Sequence, residues 1–122
     1  MMGFIYVALG GAIGSSARYG VNLAAPRLVG HGFPWATLFV NVAGCFAMGM
    51  ISALLGPRLP ESENIRLFLT SGLLGGFTTF SAFSLDFFAM VERGEWHWAV
   101  LYAMASVTLS ILGVFIGFKA FG

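Results

Sequence analysis

Asn41, Tyr102, Ser106, Thr108 and Ser110 are polar side chains set inside otherwise apolar stretches, and residues 75–83 read Gly-Gly-Phe-Thr-Thr-Phe-Ser-Ala-Phe. These types suit binding rather than bond-making. The Asn41 amide carries two N–H donors, which fits an anion or a neutral polar partner. The hydroxyls add weaker donors, although a Ser or Thr in a helix can also bond back to its own backbone. Phe80 and Phe83 are three residues apart and share a helix face, and an aromatic ring has a positive edge. Two adjacent glycines and two threonines weaken a helix through backbone entropy and competing hydrogen bonds. A break there frees backbone carbonyls, for example those of Gly75 and Thr78, and unwound carbonyls coordinate sodium in membrane proteins. One break offers too few oxygens; two breaks related by a two-fold axis form a small cage.

Classical reaction chemistry finds no support. There is no Gly-x-Ser-x-Gly, phosphate-binding loop or His-Glu-x-x-His. His31 and His97 lack partners at metal-ligand spacing and read as interfacial side chains. Glu61, Glu63, Glu92 and Glu95 read as solvated loop residues, and no enzyme is expected.

The elements that position these groups follow from composition. The 122 residues are 58% hydrophobic and 9% charged, against roughly 25% charged in soluble domains. Mean hydropathy is +0.88. The chain is read as an all-α integral membrane protein. A crossing needs about 20 apolar residues, so the length leaves room for four crossings, expected at about 3–25, 35–55, 65–91 and 98–121 as a single membrane domain. The first is expected to stop at Pro26, the second at Gly56-Pro57, and the third to be broken at mid-membrane. Trp35, Trp96 and Trp98 fall at segment ends, as an aromatic belt requires. The start lacks a basic leader region and reads as a retained helix. A net charge of +1 leaves no nucleic-acid footprint, and the single Cys45 allows no disulfide within one chain.

Small residues pair at four-residue spacing: Gly10 with Gly14, Ala43 with Ala47, Gly72 with Gly76, Gly113 with Gly117. Such pairs let backbones approach closely, within one chain or between subunits. Four thin helices enclose little space, which favours a homo-oligomer. Orientation is barely specified. With four crossings, Arg58, Arg66 and Lys119 fall on one side and Arg18, Arg27 and Arg93 on the other. Lys and Arg counts set orientation, so this balance admits insertion both ways and pairing with an inverted copy. Arg18 and Asp86 are the charges furthest inside the segments. Each lies toward the same membrane side, so a structural ion pair between them is expected.

Three motifs together carry a resemblance: residues 10–19 (Gly-Gly-Ala-Ile-Gly-Ser-Ser-Ala-Arg-Tyr), 37–44 (Thr-Leu-Phe-Val-Asn-Val-Ala-Gly) and 75–84. The chain resembles the Fluc (CrcB) fluoride channels over essentially its whole length. The resemblance implies an antiparallel, dual-topology homodimer in the inner (plasma) membrane. Two passive fluoride pathways would run along the subunit interface and lower fluoride toxicity. It implies a structural sodium ion at the dimer centre on the Gly75 and Thr78 carbonyls of both subunits. It implies pathway roles for Asn41, Phe80, Phe83, Ser106, Ser110, Tyr102 and Thr37, and an electrostatic role for Arg18 near the entrance. Two other classes compete. A small dual-topology multidrug-type exporter, exchanging cations for protons, needs an intramembrane acid facing a central cavity; segment one has none and Asp86 lies off-centre. A non-transporting assembly protein would explain the small-residue pairs but not the weak third segment.

Overall fold

The computed structural model describes residues 2–30, 32–55 and 63–122. All regular elements among them are helical. They are α1 (Met2–Val29), α2 (Trp35–Leu55), α3 (Glu63–Leu67), a π-helical stretch (Phe68–Leu74), α4 (Gly75–Phe77), α5 (Phe80–Glu92) and α6 (Trp96–Phe121). Three helical paths are long and apolar enough to cross a membrane: Trp35–Leu55, Glu63–Glu92 and Trp96–Phe121. Residues 31 and 56–62 lie outside the described set, and with them the expected loop positions of His31, Gly56-Pro57, Arg58 and Glu61.

The first helix corrects the expected stop at Pro26. Proline removes only its own N–H and crowds the carbonyl four residues back, and α1 continues through it for three more residues. The helix ends instead at Gly30, whose φ of 90° is the left-handed cap that glycine adopts without strain. The Gly30 N–H donates to Pro26 O at 3.1 Å. At the other end of the chain, α6 begins at Trp96, so His97 sits in its first turn.

Packing follows the small residues. Helix α2 packs chiefly on α6, and α1 on the π-helical stretch and α4. A Cβ at Gly14 would collide with the Leu73 carbonyl, and one at Gly49 with the Val114 carbonyl. A Cβ at Gly72 would stand 2.9 Å from Val7 O and 3.0 Å from Gly10 Cα. Backbone approach of this kind needs a glycine on at least one of the two surfaces. The fully buried side chains are few, with Val40, Met90 and Tyr102 the largest. Large apolar residues cover the outside, as a protein that faces hydrocarbon requires.

The interruption between α4 and α5 is not where the glycines are. Gly75 is helical (φ −62°, ψ −37°), whereas Thr78 (φ −84°, ψ 159°) and Thr79 (φ −156°, ψ 124°) are extended. Threonine's branched Cβ favours that region. Gly76 serves packing instead: a Cβ there would stand 2.8 Å from Gly11 O. Helix 75–77 and helix 80–92 therefore meet at two extended threonines.

Candidate functional site

Two extended residues between helices leave backbone groups without their usual partners, and side chains from other helices replace them. Asn41, on α2, takes both backbone groups of Thr79. Its Oδ1 accepts from Thr79 N at 2.7 Å and its Nδ2 donates to Thr79 O at 3.0 Å. Arg18, on α1, donates from Nε to Gly76 O at 3.0 Å. Thr79 caps α5, its Oγ1 accepting from Ala82 N at 3.1 Å, as N-cap hydroxyls do. Thr78 Oγ1 bonds back to Leu74 O at 2.9 Å.

Two carbonyls lose their donors as a result. In a continuous helix Thr79 N would donate to Gly75 O and Ala82 N to Thr78 O. The first is held by Asn41 and the second by the Thr79 hydroxyl. Gly75 O and Thr78 O are thereby released for another partner. A hard cation, which takes oxygen ligands, is the chemistry that fits them. The interruption also presents two opposite helix ends. The carbonyl end of α4 carries partial negative charge and the N-terminus of α5 partial positive charge.

Beside the interruption lies a groove of about 330 Å³. It is lined by Asn41 and Cys45 from α2, Thr78, Thr79, Phe80 and Phe83 from the interruption and α5, and Ser106 and Ser110 from α6, among others. Five of the seven expected pathway residues (Asn41, Phe80, Phe83, Ser106 and Ser110) thus line one groove, together with Thr78. The Phe80 and Phe83 rings lie 5.5 Å apart at 43°. Phe80 is 76% exposed, open to whatever stands opposite it. Ser106 is only 6% exposed, and its hydroxyl has no hydrogen-bond partner among the described residues. A buried, unpaired polar group at a groove wall calls for a partner. Thr108 is exposed, on a different face of α6.

Tyr102 and Thr37 stand behind this groove rather than in its lining. The Tyr102 ring packs on Phe83 at 5.1 Å, but the residue is fully buried and its hydroxyl donates to Asp86 Oδ2 at 3.0 Å. Thr37 and Asp86 line a second hollow of about 260 Å³ near the C-terminal end of α1 and the start of α2, which Asn22 and Arg93 also border. The expected Arg18–Asp86 ion pair does not form. Arg18 is drawn to the carbonyl end of α4, where a cation is stabilised, and Asp86 is held by Tyr102; the two salt bridges among the described residues are Arg66–Glu63 and Arg93–Glu95. Sequence reading missed both partners because depth along a helix does not fix which face a side chain occupies. The Gly76 carbonyl gave no signal, being a backbone group. The sixteen-residue separation of Asp86 from Tyr102 crosses a turn.

Long apolar helices with small-residue contacts, and a largely apolar groove carrying a few polar side chains beside a helix interruption, define a multi-pass membrane protein. The chain belongs to the CrcB family: the family model described as "CrcB-like protein, Camphor Resistance (CrcB)" matches residues 5–118. It is 54% identical over 114 residues to a Paracoccus denitrificans protein named fluoride-specific ion channel FluC, covering 93% of this chain and 90% of that one. A Hyphomonas neptunium protein of the same name is 52% identical over 118 residues, covering 96% of this chain and 93% of that one. A third, from Rhizobium etli, is 54% identical over 111 residues, covering 91% and 89%.

Proposed function

We infer that this protein is a passive, fluoride-selective channel of the inner membrane that lets cytoplasmic fluoride leave down its electrochemical gradient. The relatives' shared name supplies the ion. The observation that carries the mechanism is the groove: an amide, an unpaired buried hydroxyl and two phenylalanine rings around one open space. Fluoride is small and strongly hydrated, so a narrow route must replace water with protein donors. The Ser106 hydroxyl and the remaining Asn41 N–H are such donors. The ring edges of Phe80 and Phe83 add weak attraction that does not trap the ion. The N-terminus of α5 adds partial positive charge beside the same route. Among the described residues lining the groove there is no carboxylate, imidazole or ammonium group, in keeping with conduction rather than coupled pumping.

The finer architecture belongs to the same inference. Helix α1 is the fourth crossing, and the Thr78–Thr79 interruption lies at mid-membrane. Two copies associate antiparallel, because balanced basic residues leave insertion undirected and because one chain leaves the groove open and Phe80 exposed. Gly75 O and Thr78 O of both copies hold a structural sodium ion on the two-fold axis. The released state of these two carbonyls supports that assignment. When bound, the cation supplies fixed positive charge and a tie between subunits.

Efflux from liposomes holding the purified protein tests the reading. An ion-selective electrode should record fast, voltage-driven fluoride efflux and negligible chloride efflux. Proton-coupled uptake of organic cations, with no fluoride efflux, would replace the channel with an exporter.

A further inference from the structure

We propose that Asn41 is a positioning residue for the cation cradle as well as a lining residue of the anion groove. The inference rests on the cation reading above. Helix α2 presents two things to the interruption from one face, three residues apart. Gly44 receives the Thr78 side chain so closely that a Cβ at Gly44 would collide with Thr78 Cγ2. Asn41 then takes Thr79 N at 2.7 Å and Thr79 O at 3.0 Å, as a neighbouring β-strand residue would.

The consequence is a choice between two partners for one N–H. Thr79 N can donate to Asn41 Oδ1 or, in a continuous helix, to Gly75 O, but not to both with good geometry. In hydrocarbon an unpaired backbone N–H is too unfavourable to persist. Removing the Asn41 side chain therefore drives Thr79 N back to Gly75 O. The helix closes, and one cradle oxygen per subunit is withdrawn. Asn41 keeps Gly75 O released by occupying its competitor. Because the second Nδ2 hydrogen remains free for the groove, one side chain links the cradle to the anion route.

Two substitutions separate this role from simple anion contact. Asn41→Ala removes the acceptor. Asn41→Asp keeps an oxygen for Thr79 N but opposes an anion. The first readout is thermal unfolding of purified full-length protein as sodium replaces N-methylglucamine. The second is fluoride efflux. Both variants should lose efflux. N41A should also raise the sodium midpoint by about tenfold or more, the effect of losing a buried hydrogen bond. N41D should keep the midpoint within about threefold, roughly half that free energy. If Asn41 only contacts the anion, N41A loses efflux with an unchanged sodium midpoint, and the inference is overturned while the cation reading stands. A wild-type protein indifferent to sodium overturns both. If N41A does not yield a monodisperse protein, solid-state NMR on the wild type decides. Dephasing between Asn41 ¹³Cγ and Thr79 ¹⁵N supports the clamp, and its absence overturns it.

Discussion

Ser106→Ala separates two roles that a hydroxyl usually combines. The Ser106 oxygen is buried, lines the groove and has no hydrogen-bond partner among the described residues. Burying a hydroxyl without a partner costs about 1–3 kcal/mol in proteins. Replacing that oxygen by hydrogen should leave stability unchanged or raise it by up to about 1 kcal/mol, the small void left behind offsetting part of the gain. Conduction should respond in the opposite sense. A hydrogen bond to a charged group contributes about 1.5–3 kcal/mol. If Ser106 replaces part of the lost hydration at the narrowest point, its removal slows efflux by about ten- to hundredfold. The paired assay is thermal unfolding in detergent beside electrode-recorded fluoride efflux at matched protein density. Efflux within about twofold of wild type, less than the weakest hydrogen bond would give, refutes the groove assignment for Ser106. A lowered unfolding temperature would mean that the hydroxyl is bonded within the protein, and the argument from its unpaired state would fall.

Phe80→Ile and Phe83→Ile should each abolish fluoride efflux while the protein still elutes as the same oligomer, because isoleucine fills space without a polarised ring edge; unchanged efflux in both removes the rings from the mechanism. Tyr102→Phe should lower stability by about 1–3 kcal/mol, since it strips the Asp86 carboxylate of its buried donor; a change under about 0.5 kcal/mol in denaturant or thermal unfolding, below an ordinary hydrogen bond, would show the bond to be unimportant. Gly14→Ala drives a methyl into the Leu73 carbonyl and to 2.9 Å from Phe77 N; backbone cannot step aside as a side chain can, so loss of about 1–3 kcal/mol or more is expected, read as a lower melting temperature, and wild-type stability would show that α1 and the third path are not in such contact.

The glycine-rich third segment illustrates how far a sequence can be read. Its weakness as a helix was legible from Gly75, Gly76, Thr78 and Thr79, because these residue types disfavour helix locally. Which of them leave the helix was not. Both glycines stayed helical, Gly76 using its missing Cβ to pack closely on Gly11 and Ser15, while the threonines took extended geometry, with Asn41 receiving Thr79. Pro26 shows the same asymmetry. A proline signals a helix end from sequence, yet a helix continues where the loss of one hydrogen bond is tolerated and a glycine four residues later offers a better cap.

Composition and motif order alone determined the class of this protein. Hydrophobic length is a sum over residues, and so are charge balance and residue type. They sufficed for an all-helical membrane chain with intramembrane Asn41, Phe80, Phe83, Ser106 and Ser110 as its functional candidates. Only the tertiary structure decided partners. Arg18 bonds a carbonyl of the interruption rather than Asp86, Asp86 holds Tyr102, and Asn41 is engaged with Thr79 backbone across 38 residues of sequence. Each of these depends on which face of one helix meets which face of another. That is set by backbone approach at Gly10, Gly14 and Gly72 and by the seat Gly44 gives the Thr78 side chain, a property of pairs of surfaces that no single stretch of sequence contains.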